Sequence, residues 1–217
     1  MSRSFRTLLA RLKRDRTGVS AIEFAICLPL LLFISMTMIE LVNFVLVRQQ
    51  ISQLALLVAD NASRIGTQNT IQSEIDEKQV NDLFRGASLQ AGGLDISNRG
   101  RIILSSVEMN DAPSTSQYIH WQRCFGAFTY PSSYGKQGDG KGTTSLAKVG
   151  PSNGSIAALR DVPAMFVEIA YQYKPLISPY FIATSSIQET ASMLVRDSRD
   201  SSGPGINPVA GVTASTC

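Results

Sequence analysis

Histidine is almost absent from this chain of 217 residues, with a single example at His120; tryptophan is also single, at Trp121, and cysteine occurs three times. One imidazole cannot build a metal site by itself, and no Cys or carboxylate stands at ligand spacing from it within a helix or hairpin. It reads instead as a sheet-face residue, and no metal or cofactor is expected. Gly135 to Gly142 (GKQGDGKG) approaches a P-loop, but Gly142 stands where Ser or Thr should hold Mg²⁺, and no strand and helix flank it. That segment reads as a flexible exposed loop. The carboxylates Glu108, Asp111, Asp161 and Glu168 are scattered along the chain and show no dyad pattern. No catalytic residue is expected. Glycine (16) and proline (9) are not enriched, which excludes a collagen-like or wholly disordered chain.

Charge is the other shortage. Only 17% of residues are charged, where soluble domains carry about 25%, and the deficit is local. Residues 1–18 hold six cations and one anion, and from Arg48 onward fourteen cations meet fourteen anions. Between them, Val19 to Val47 contains no cation and two anions, Glu23 and Glu40. The excess positive charge is thus confined to a short tail beside an apolar run, which argues against a nucleic-acid-binding surface.

As a helix those 29 residues would extend about 43 Å, enough to cross a hydrocarbon core of about 30 Å. The basic residues precede the run, so the positive-inside rule places the N-terminus in the cytoplasm and the rest outside. A cleavable secretory signal is the competing reading. It would need a shorter apolar core and a small-x-small site, whereas this run is long and ends Ile39-Glu40-Leu41-Val42-Asn43. A lipoprotein signal fits no better, because Cys27 follows bulky Ile26; Cys27 reads as a small buried hydrophobe. A retained anchor is favoured.

Glu23 lies only a turn or so into that helix. A carboxylate in a membrane segment costs about 2.5–3.5 kcal/mol at mid-depth, less near the interface, and marks a functional candidate. Snorkelling to headgroup water is the plain alternative. The surrounding Arg16-Thr17-Gly18-Val19-Ser20-Ala21-Ile22-Glu23-Phe24 resembles the processing site of type IV pilins, where a prepilin peptidase cuts after Gly and Glu stands fifth in the mature chain. The resemblance makes Gly18 the last leader residue and Val19 the new N-terminus. Val19 departs from the aromatic residue with which many pilins begin. In a filament, Glu23 of one subunit would neutralise the α-amine of its neighbour, turning two unfavourable buried charges into a register-setting pair.

The longer run Gly18-Val19-Ser20-Ala21-Ile22-Glu23-Phe24-Ala25 followed by Leu28-Pro29-Leu30-Leu31 and Ile39-Glu40 is more specifically similar to the TadE-like family, the pseudopilins of the Tad/Flp pilus system. The similarity covers residues 11–47 closely, with fainter echoes in Trp121-Gln122-Arg123-Cys124 and Glu168 to Leu176. It implies a pseudopilin or minor pilin without enzymatic activity, whose partners are a prepilin peptidase, other pilins or pseudopilins, and the lipid bilayer. Pro29 would kink the helix by removing a donor and crowding the carbonyl of Ala25, with an assembly-specific role equally open.

Beyond the membrane, Ile51, Leu54, Ala55, Val58, Ala62 and Ile65 recur at three- and four-residue steps up to Gly66, a plausible stop. A free stem and a juxtamembrane helix packed on its own domain both fit. Thr70–Gln90 reads as a second amphipathic helix ending at Gly92-Gly93. Residues 101–108, 118–124, 164–173 and 190–196 read as strands, and Gly126 to Asp161 as one long excursion. The expected architecture is α+β: leader 1–18, transmembrane helix 19–47, helical extension 48–66, and an exported domain 67–217 with an antiparallel sheet packed on helix. Trp121 is expected to anchor the core and Arg123 to be a satisfied surface neighbour. Cys124 and Cys217 would lie in an oxidising compartment, so a disulfide is expected, with two free thiols as the other reading. The expected location is the bacterial inner membrane, single-pass, with the domain in the periplasm. An unprocessed bitopic protein whose exported domain binds a partner protein or envelope polymer is the alternative function.

Overall fold

The computed structural model describes residues 18–68, 73–111, 114–144, 146–183, 185–200 and 203–217. Leader residues 1–17 and the expected helix start at Thr70 and Ile71 fall outside the described residues. One helix, α1 (Val19–Arg64, 46 residues), carries the apolar run and continues through Pro29 as a single element. Its hydroxyls turn back on the helix: Ser35 and Thr37 donate to the carbonyls of Leu31 and Phe33 at 2.7 and 2.8 Å. That removes polar atoms from the apolar surface. The helix stops where Ile65 turns extended, and Gly66 follows at φ +147°. A Cβ at Gly66 would meet Ser73 Oγ at 2.0 Å, so the stop requires glycine.

The two ends of α1 live in different surroundings. Up to about Ile39 it projects with its apolar side chains exposed, whereas Ile51, Leu54, Ala55, Val58, Ala59 and Ala62 are buried in the core of the following domain. Burial of Ile51, Leu54 and Val58 contributes about 1.5–3 kcal/mol each. Of the two readings of the extension, packing on its own domain is what occurs. Cys27, expected to be buried, is exposed on the projecting half, where no other described segment covers it.

A two-stranded hairpin, β1 (Thr67–Gln68) and β2 (Ser73–Glu74), leads into α2 (Glu77–Gln90). The helix begins later than Thr70 because Asp76 caps it, with a reciprocal capping box to Gln79. Ile75 is therefore a buried residue of the approach, not of the helix stripe. A short turn of helix, α3 (Ile96–Arg99), precedes the main sheet.

That sheet contains β3 (Gly100–Met109), β4 (Gln117–Phe125), β5 (Ala164–Gln172) and β6 (Ser186–Leu194), in the order β4-β3-β5-β6 with every neighbour antiparallel. The expected α+β class and helix-on-sheet packing are present. One face puts Ile102, Leu104, Trp121, Val167 and Ile169 against α1 and α2. The other is covered by the excursion after β4, where Val107, Ala164 and Phe166 pack with Val149 and Ala158. Residues 135–142 are exposed but not free. Ile119 N–H donates to Asp139 and Gly138 N–H to Ile119, so the glycine-rich turn runs along the outer edge of β4. It blocks further strand pairing there.

Candidate functional site

Gly18, Val19, Glu23 and Pro29 all lie exposed on the projecting part of α1. The helix starts at Val19, directly after Gly18, which keeps helical angles (φ −78°, ψ −14°) and has no side-chain cap. Gly18 carbonyl accepts from Ile22 N–H at 3.1 Å, so the Gly18–Val19 peptide bond sits at the helix start. Glu23 is one turn further along, between exposed Ile22 and Phe24. Among the described residues, α1 is the one helix long and apolar enough to cross a membrane.

Near the other end of the apolar run a second carboxylate behaves differently. Glu40 is fully buried. Its Oε1 accepts from Tyr173 hydroxyl at 2.5 Å and Leu176 N–H at 3.0 Å, and its Oε2 from Ile177 N–H at 2.7 Å. Asn43, one turn along α1, donates to Tyr173 hydroxyl at 2.9 Å, and Phe44 meets the Tyr173 ring edge-on at 5.1 Å. The chain leaving β5 is thus tied to the helix by charge-assisted hydrogen bonds. Sequence reasoning missed this site, since Glu40 registered only as part of the Ile39-Glu40 pattern. A carboxylate deep in an apolar run demands donors, and that was the available signal.

Within the domain, Cys124 and Cys217 are joined by a disulfide with Cα atoms 4.9 Å apart, as expected. Cys124 N–H also donates to Ser215, so the C-terminal segment lies along β4. Trp121 is 1% exposed in the core, the anchor expected of it. Arg123 is satisfied, but it is not a surface residue. It forks onto Glu77 in the first turn of α2, with the two side chains only 11% and 7% exposed. His120 does sit on the sheet, and its Nδ1 lies 2.9 Å from Glu108 and its Nε2 3.0 Å from the Gly203 carbonyl. Both neighbours can accept, an arrangement that favours the ring with a proton on each nitrogen. The hydrogen bond to Glu108 raises its pKa above the ordinary histidine value, against the opposing effect of burial.

The chemistry on offer is anchoring and pairing. Among the described residues no group of three or more His, Cys, Asp or Glu could hold a metal ion. No curated protein and no solved structure matches the chain. Residues 18–64, which run from the glycine before α1 to its last residue, match the family model described as TadE-like protein.

Proposed function

We propose that the chain is a pseudopilin or minor pilin, a non-enzymatic structural component in the assembly of a Tad/Flp-type pilus or a related secretion machine. The observation that carries this reading is the exposed apolar half of α1, with Glu23 one turn into a helix that starts directly after Gly18. A family match that itself begins at Gly18 supports it. The precursor inserts in the inner membrane with its leader in the cytoplasm, as the charge distribution favours. A prepilin peptidase then cuts between Gly18 and Val19. The released α-amine of Val19 and the Glu23 carboxylate of a neighbouring pilin-type subunit pair when the stems bundle, while Pro29 bends the helix between this contact and the domain.

Processing is directly testable. Gly18 has open space around its Cβ position and helical angles, so Gly18→Val is accommodated without disturbing the fold. In cells carrying the peptidase, the variant is expected to accumulate as a slower-migrating precursor starting at Met1, while wild type begins at Val19. Identical migration of the two proteins would overturn processing and favour the unprocessed bitopic reading.

A further inference from the structure

The segment between β5 and β6 has an unusual combination of properties. Leu176, Ile177 and Tyr180 are 65%, 41% and 96% exposed, and the Phe181 ring lies tilted against Phe33 of the projecting helix with centroids 5.4 Å apart. This places an apolar loop alongside the stretch of α1 that crosses the bilayer in the reading above. At 1.5 Å per residue, Glu40 lies about 31 Å along the helix from Val19 and Phe33 about 21 Å. With Val19 at one boundary of a hydrocarbon core of about 30 Å, the other boundary falls at Glu40, and the Phe33–Phe181 contact lies about 10 Å inside it.

The backbone of the loop is adapted to that depth. Irregular chain facing lipid is costly because its amides have no water to bind. Here Pro175 and Pro179 have no N–H to satisfy, Leu176 and Ile177 donate to Glu40, and a backbone hydrogen bond from Ser178 also reaches that carboxylate. Tyr180 N–H donates to Ser178 Oγ at 3.3 Å and Phe181 N–H to the Ser178 carbonyl at 3.2 Å. Every amide from Leu176 to Phe181 is thereby paired or absent. Exposed Lys174 at the loop's root can reach headgroup level.

We propose that residues 174–183 insert into the bilayer leaflet nearest the folded domain, as a second, non-spanning membrane contact beside α1. Glu40 is the buried pin that holds the loop at acyl depth. The proposal rests on the reading of α1 as a membrane span, and the experiment separates the two. Full-length protein is reconstituted in phosphatidylcholine/phosphatidylglycerol vesicles, with and without lipids brominated on the acyl chains, at a high lipid-to-protein ratio. Three versions are compared: wild type, whose sole tryptophan Trp121 is buried in the domain core and gives the baseline; Leu31→Trp, which reports α1; and Tyr180→Trp, which reports the loop.

The expected result is loss of Tyr180→Trp emission to brominated lipid comparable to that of Leu31→Trp, with a blue shift and protection from aqueous iodide. Quenching of Leu31→Trp alone, with Tyr180→Trp open to iodide, would overturn the loop insertion and leave the anchor intact. Tyr180→Trp shielded from iodide yet untouched by brominated lipid would mean that a protein surface, such as a second copy, covers it, and would also overturn the proposal. If neither is quenched, the anchor reading itself fails and takes the loop with it.

Discussion

Tyr173, Leu176 and Ile177 converge on one carboxylate, Glu40. Replacing Glu40 with Leu takes the acceptor from the Leu176, Ile177 and Ser178 amides and from the Tyr173 hydroxyl, an effect worth about 2–4 kcal/mol when buried. Tyr173→Phe removes the hydroxyl's bonds to Glu40 and from Asn43 but leaves the loop amides paired, and is expected to cost about 1–2 kcal/mol. Chemical denaturation of the detergent-solubilised protein should rank the two in that order. A Glu40→Leu protein as stable as wild type would mean that the pin carries no free energy. His120 makes a prediction of opposite character, in pH. Glu108 raises its pKa while burial and Lys141 oppose, and the Gly203 carbonyl adds to the raise. An unfolded imidazole titrates near 6.5 and the folded one above it. Its stabilisation is therefore complete below about 6.5 and is lost as pH rises through the folded value. Denaturation midpoints measured from about pH 5 to about pH 9 should fall across that window in wild type, and the fall should flatten in His120→Asn.

The end of α1 shows how one element is finished by another. Arg199, 5% exposed, donates from Nη2 to the carbonyls of Ala62 and Ile65 at 3.3 and 2.7 Å, where helix carbonyls would otherwise lack partners. A cation there also meets the negative end of the helix dipole. Burial pulls its pKa down to about 10, and its Nε has no hydrogen-bond partner among the described residues, so the arrangement carries its own desolvation cost. Arg199→Ala is expected to cost about 1–3 kcal/mol. Arg199→Met should cost less, because it fills the space and removes the buried charge. Equal losses in the two, read from unfolding midpoints, would show that desolvation contributes nothing. Elements with a strong local signal were legible in the sequence: the apolar run of α1, the β-branched cores of β3 and β5, and the Gly66 stop. The start of α2 was misplaced because Ile71 and Ile75 extend its apolar period, although Asp76 and Gln79 spell the capping box that sets the boundary. β6 begins at Ser186, four residues before the expected start, because polar Ser186 and Gln188 alternate with Ile187 on a half-exposed strand.

The folded unit as a whole is closed by long-range ties that a local reading cannot pair. Glu40 finds donors more than 130 residues away, and Arg199 caps a helix 134 residues upstream. A carboxylate deep in an apolar run needs donors, but nothing local to Glu40 says which, and the sequence reading did not draw that need. The cysteines were the exception, because compartment and count left one plausible pair. That bridge spans 93 residues, and a loop of this length is worth about 4–5 kcal/mol through restriction of the unfolded chain. Reduction, or the Cys124→Ala/Cys217→Ala variant, should lower the unfolding midpoint by a corresponding amount, with no change if the bridge is inconsequential. Thiol titration of the unreduced protein should find one reactive group, Cys27.

The Glu40 tie has a rotational consequence. Because it fastens the domain to one side of a helix that is continuous from Val19 to Arg64, the domain cannot swivel freely about the helix axis. Glu23 lies seventeen residues before Glu40, which at 3.6 residues per turn places it about 100° around that axis before any bend at Pro29 is counted. Whatever grips Glu23 therefore also fixes the compass bearing of the domain, and a ring of such subunits would present the same flank outward at every step.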